Sequence, residues 1–113
     1  MISTKEKGLL QNIIKHCERI ETTIEGVSKE EFLNNLDKIE ICCFNAFQIG
    51  ELAKRFSEDF EKRFSKEPWK DIKGMRDVIG HVYGKIDHED IWNTSSRDIK
   101  PLHDYCQEIL VNN

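Results

Sequence analysis

Four residues of this chain have types and spacing that could do chemistry together: Arg76, Asp77, His81 and Tyr83. They lie in one stretch, residues 68–84, that also holds Gly74, Gly80 and Gly84. On a helix turning about 100° per residue, Ile72, Met75, Ile79 and Val82 share one apolar face. With Ile72 at zero, Arg76 falls near about 40° and Tyr83 near about 20°, while Asp77 and His81 fall near about 140° and 180°. The four-residue step from Asp77 to His81 lets the carboxylate reach the imidazole, fix its tautomer and favour its protonated form. Gly74 and Gly80 leave outward surface without Cβ atoms, where a ligand or another backbone could approach. An imidazole can move the proton of a ribose 2′-OH or of a leaving oxygen, and a guanidinium can stabilise charge building on a phosphate. Those are the requirements of phosphodiester cleavage. The same spacing also arises on an ordinary solvent-facing helix with an Asp–His pair and a tyrosine at the edge of the core. Spacing alone leaves both readings open.

The elements that must position these residues are helical. Leu9, Leu10, Ile13, Ile14, Cys17, Ile20, Ile24 and Val27 recur with helical period, and Gly26 is a candidate terminator. Ser28 and Glu31 have the spacing of a capping box that opens a short helix with Phe32, Leu33 and Leu36 inward. Asn34, Asn35 and Asp37 offer caps for the next helix, which carries Ile39, Cys42, Cys43, Ala46, Phe47, Ile49, Gly50, Leu52 and Ala53 to about residue 56. Its uncharged stretch, residues 41–50, is too apolar for a one-sided helix and is expected at the bundle centre, with Gly50 against a neighbouring backbone. Glu51 on that helix calls for a partner such as Arg76, or else faces solvent. Residues 57–67 read as a loop with a helical turn through Phe60 and Phe64. Pro68 then opens a helix expected over 68–82, stopping at Gly84. Another begins near Asp87 with Trp92 inward, and Pro101 breaks or restarts the pattern before Leu102, Tyr105, Cys106, Ile109 and Leu110. No alternating run suggests a strand. The fold class expected is all-α, a bundle of about four main helices in one domain spanning residues 1–113.

Composition narrows the function classes. The 113 residues are 38% hydrophobic and 34% charged, and the longest uncharged run is far shorter than the ~20 residues of a membrane span. Six Phe and two Trp supply enough apolar mass to argue against disorder. The first residues show no apolar segment of a secretory signal, so a cytoplasmic location is expected. Cys17, Cys42, Cys43 and Cys106 lack metal-ligand spacing and read as buried small hydrophobes. His16, His88 and His103 read as surface or helix-end residues, and no metal or other cofactor is expected. Trp69 and Trp92 read as core or interface anchors. The net charge of −4 does not announce a nucleic-acid binder. Residues 54–76, however, hold eight basic side chains against five acidic ones, between two acidic flanks. Lys66, Lys70 and Lys73 in that segment are the candidates for guiding a polyanion; a solvated, salt-bridged surface is the plainer alternative.

The segment resembles the signature of the HepT-like proteins of the HEPN superfamily, R-x4-H-x-Y with a polar residue after the arginine. Here the match is Arg76, Asp77, His81 and Tyr83. Trp69 lies seven residues before the arginine, Trp92 nine after the tyrosine, and Pro101 nine further on. Phe47-Gln48-Ile49-Gly50-Glu51-Leu52-Ala53 resembles the family helix with an Ile-Gly-Glu step. The likeness covers roughly residues 28–111, and one departure is Asp77, where asparagine is the commoner choice. It implies a HEPN-like bundle of four to five helices forming a two-fold symmetric homodimer. It implies a metal-independent ribonuclease toxin that cleaves RNA, with tRNA among the candidate substrates, at a cleft shared across the dimer. In that role His81 is the general acid/base, Arg76 binds phosphate and Asp77 orients. The implied partner is a minimal nucleotidyltransferase antitoxin that silences the toxin by adenylylating Tyr83. The rival reading is a non-catalytic docking subunit of such a nucleotidyltransferase.

Overall fold

The computed structural model describes residues 1–75 and 87–113. All regular structure among them is helical: α1 (Thr4–Ile24), α2 (Lys29–Leu33), α3 (Leu36–Ala53), α4 (Glu58–Arg63), α5 (Trp69–Gly74), α6 (His88–Asn93), a π-helical turn (Thr94–Asp98) and α7 (Ile99–Asn112). The all-α bundle expected from the period is what the chain forms.

Local chemistry sets the ends. At α1, the Ser3 hydroxyl accepts from the Glu6 amide at 3.0 Å, and the Glu6 carboxylate accepts from the Ser3 amide at 2.8 Å. Ser28 and Glu31 repeat the reciprocal pair at α2, as their spacing predicted. Gly26 stops α1 with φ at 71°, a region that side chains with a Cβ rarely enter. Asn35 caps α3 through the Lys38 amide at 3.1 Å.

Helix α1 packs against both α3 and α7, and α3 also carries α5. Leu10, Ile13, Cys17 and Ile20 of α1 meet Cys42, Ala46 and Ile49 of α3, with Leu102, Cys106 and Ile109 of α7 closing the same core. One polar residue is buried there. Asn45 donates to the Ile41 carbonyl at 2.8 Å and accepts from His16 Nδ1 at 2.7 Å, which ties α3 to α1. A second polar tie joins α7 to α1, where His103 Nδ1 lies 2.5 Å from a Glu21 carboxylate oxygen. Thus His16 and His103 are half-buried, not free on the surface; each uses a ring nitrogen to bridge two helices. His88 is exposed at the start of α6, as expected.

Two further expectations need correction. Residues 57–67 are more than a loop: Ser57 caps α4 by accepting from the Phe60 amide at 3.1 Å. Its charged faces obscure a four-residue apolar rhythm, Phe56, Phe60 and Phe64, that is buried. The stretch 41–50 is central on one side only, because Ile41 is 43% and Phe44 52% exposed. Gly50 is buried within α3.

All four cysteines are free and buried. Burial pushes the Cys106 thiol up to about 12 and Cys43 to about 11. The sign of the linkage follows, since a protonated thiol is favoured by the fold and its contribution is complete below the ordinary thiol value of 9.0. It is lost as pH rises toward 11–12. Melting temperature should therefore fall progressively above pH 9, and a thiol reagent at pH 8 should label the protein only after denaturation. Rapid labelling of the native protein would contradict this burial.

Candidate functional site

Arg76, Asp77, His81 and Tyr83 lie outside the described residues, as do Gly80 and Gly84 and the expected course of the helix beyond Met75. What the structure fixes is the ground on either side of them. On the upstream side α5 is held by an aromatic cluster. The Trp69 indole N–H donates to the Phe64 carbonyl at 2.6 Å, and its ring lies 5.2 Å from Phe56 and 5.8 Å from Phe60. Tyr105 of α7 closes the cluster, 6.5 Å from Trp69. Ile72 and Met75 are buried on the stripe that the helical period assigned to the core. Arg76 therefore follows directly on an anchored residue. Downstream, Asp87 caps α6 by accepting from the Glu89 amide at 2.9 Å, and Ile91 is buried. Trp92 is partly buried, its ring 5.2 Å from Phe32. Both tryptophans are anchors, as their sequence positions suggested.

A cleft of about 370 Å³ opens between α5 and the π turn, walled by Pro68, Ile72, Met75 and Pro101. Gly74 lines it, and a Cβ built there would meet no atom within 4 Å. The absent side chain does leave open space, as proposed for this glycine. Polar groups on the rim are Glu67, Asp71, Thr94, Arg97 and Asp98. Partial burial, and then the neighbouring Asp98, hold the Glu67 carboxyl above its ordinary range.

Arg97 is the residue that sequence reasoning missed. It is exposed on the π turn and makes no ion pair among the described residues. The signal was present in Pro101, four residues on. A helical proline lacks the N–H that would bond the carbonyl of residue 97, and its ring crowds that carbonyl. The wider π turn absorbs this, so the helix continues through Pro101 instead of breaking.

The three candidate guiding lysines fare differently. Lys73 is bound to both carboxylate oxygens of Glu61, at 2.9 and 3.2 Å. Lys66 pairs with Glu108 at 3.3 Å and sits 5.6 Å from the Tyr105 ring centroid. Lys70 is exposed and unpaired among the described residues. Lys70 on α5 and Arg97 on the cleft rim are thus exposed cations with no ion pair among the described residues. Glu51 is half-buried on α3; its expected pairing with Arg76 falls outside the described residues. Among the described residues no His, Cys, Asp and Glu side chains cluster so as to hold a metal ion, and no helix is long and apolar enough to cross a membrane.

Comparison with known proteins extends this picture. The chain is 33% identical over 101 residues to a protein of Caldanaerobacter subterraneus subsp. tengcongensis named as a candidate RNase, covering 89% of this chain and 90% of the relative. It is 31% identical over 97 residues to a protein of Thermococcus cleftensis named as a candidate ribonuclease HepT, covering 85% of this chain and 87% of that one. A candidate RNase of Methanocaldococcus jannaschii is 26% identical over 106 residues, covering 92% and 86% of the two chains. No solved structure matches the chain at a significant level. A family model described as ribonuclease HepT-like matches residues 13–109, which include the whole segment with Arg76, Asp77, His81 and Tyr83, and the chain belongs to that family.

Proposed function

We propose that this protein is a metal-independent endoribonuclease, the toxin of a toxin–antitoxin pair, acting on RNA as a cytoplasmic homodimer of single-domain chains. The observation that carries the reading is the family match across the Arg76–Tyr83 segment in a chain whose relatives bear RNase names. In the proposed reaction Arg76 holds the scissile phosphate and neutralises its developing charge. His81 moves a proton at the ribose 2′-OH or the leaving oxygen, and Asp77 orients the imidazole. On a helix turning about 100° per residue Arg76 and His81 would point about 140° apart, and a site shared across a two-fold axis would let both face one phosphate. Lys70 and Arg97 give the RNA backbone further cationic contacts near the cleft. A minimal nucleotidyltransferase partner silences the enzyme by placing AMP on Tyr83, which helical period would set on the same side as Arg76, so that added bulk and negative charge exclude RNA.

Mixing tests the shared site. Arg76→Ala and His81→Ala proteins should each be inactive alone. Combined, denatured and refolded together, they should regain cleavage, because each mixed dimer holds one site with both groups intact. A mixture as inactive as its components, with mixed dimers verified by mass, would place both groups in one protomer. Adenylylation is read separately: incubation with the partner and ATP should add AMP-sized mass increments to the wild type and none to Tyr83→Phe.

A further inference from the structure

The cleft between α5 and the π turn has the make-up of a site for one flat, polar ring. Its volume of about 370 Å³ falls at the lower end of the ~300–1,000 Å³ of small-molecule sites, room for a ring system but not for a length of chain. Pro68 at the start of α5 and Pro101 on α7 give it apolar walls, which the buried Ile72 and Met75 complete. Gly74 keeps the space open, since a Cβ there would meet no atom within 4 Å. Three carboxylates, Glu67, Asp71 and Asp98, stand on the rim against one guanidinium, Arg97. None of the three makes an ion pair among the described residues, so their oxygens are free to accept.

The rim selects what enters. A phosphate would meet three like charges for one opposite charge. Among the described residues the carboxylates do not cluster so as to chelate a metal ion. Their free oxygens suit a neutral group rich in N–H donors and laid against apolar walls. An unpaired nucleobase is such a group, because its faces pack on apolar side chains and its Watson–Crick edge carries the polar atoms. Guanine turns two adjacent donors, N1–H and the exocyclic amine, toward a carboxylate. Adenine and cytosine set a ring lone pair beside their one amine, and uracil flanks a single N–H with carbonyls. Position favours RNA as the source. Met75 in the wall immediately precedes Arg76, the residue proposed to hold the scissile phosphate. Arg97 on the rim offers a cation to the sugar–phosphate chain outside. Asp98 also repels the Glu67 carboxylate, a repulsion that N–H donors would relieve. We propose that this cleft takes an unpaired guanine beside the phosphate that is cut, with Glu67 and Asp98 accepting from its Watson–Crick edge. The inference rests on the ribonuclease reading and adds to it the base that the enzyme selects.

Binding and cleavage test it separately. Short RNAs differing only in one central base are titrated by fluorescence anisotropy with the full chain carrying His81→Ala, so that the RNA stays intact. The guanine RNA should bind about tenfold more tightly than its inosine counterpart, which lacks only the exocyclic amine, the worth of one hydrogen bond to a charged acceptor. Adenine and uracil should bind no better than inosine. Glu67→Gln combined with Asp98→Asn should bring the guanine-to-inosine ratio close to one. Gly74→Leu, which fills the cleft, should abolish the preference with helicity and melting intact. On a defined RNA, the wild type should cut beside guanine. Equal affinity for all the RNAs, or a guanine preference that survives Gly74→Leu, overturns the assignment. Unchanged RNA binding by Gly74→Leu together with lost adenylylation by the partner would make the cleft a protein-docking surface and overturn it too. Guanine preference in binding without cleavage by unmodified wild type keeps the cleft and retires the ribonuclease. Cleavage with no base preference does the reverse.

Discussion

Alanine at position 81 should lower RNA cleavage by about 10²–10⁴-fold, the usual contribution of a positioned acid–base group. Arg76 still offers a planar fork of donors to the phosphate, so RNA affinity should change little while turnover collapses. Loss of Arg76 to alanine should cost about 10²–10³-fold, as for removal of one preorganised charge-stabilising donor, and should weaken RNA binding as well. Lysine at position 76 restores the charge but not the paired geometry, so it should recover only part of the loss. Measured kcat and KM on one defined RNA distinguish these patterns. A His81→Ala protein with wild-type turnover would remove the imidazole from the mechanism, and the docking-subunit reading would then account better for the motif.

Phe60→Ala should destabilise the fold by about 3–5 kcal/mol, the cost of emptying a large aromatic site in a packed core. Phe60 is 3% exposed, stacks on Phe56 at 4.0 Å between centroids, and lies 4.8 Å from Phe64 and 5.8 Å from Trp69. Those rings are the only described aromatic packing between α4, the end of α3 and α5. Against a total stability of about 5–15 kcal/mol, the loss is a large share. Melting temperature should fall by at least about 10 °C, given about 4–8 °C per kcal/mol for a domain near this size. Cleavage should fall with it, because Trp69 and Ile72 set the position of the chain entering Arg76. Lys62→Ala, an exposed change on the same helix, should shift stability by no more than about 0.5 kcal/mol. A Phe60→Ala protein melting within about 3 °C of the wild type would show that α4 is an appendage and not a support.

The readable parts of this chain are those where local chemistry and burial agree. Ser28 with Glu31 is a capping box wherever the helix packs, and Gly26 adopts a backbone conformation that few other residues could. Ile72 and Met75 fall on the face that helical period assigned to the core, and both are buried. Features set by tertiary partners were not legible. Asn45 looks like a polar break in an apolar stretch until His16, 29 residues away, supplies its partner. His103 gives no local sign of Glu21, 82 residues earlier in the chain. Helix α4 was hidden because six charged or polar neighbours outweigh three phenylalanines whose spacing spans the helix boundary. Ile41 and Phe44 were assigned to the centre because an uncharged run does not say which side of the helix the fold covers. The motif itself was legible as residue types and spacing, and family membership supports it, whereas the directions of its four side chains rest on helical geometry.

The central claim is an RNA-cleaving centre that works through His81 without a metal. Wild-type protein, prepared without any partner and shown by mass to be unmodified at Tyr83, should be incubated with total RNA and with tRNA in excess EDTA beside His81→Ala. The expected result is cleavage by the wild type and none by the variant. Intact RNA across every pool with dimeric, unmodified wild type, or equal cleavage by both proteins, would contradict the account.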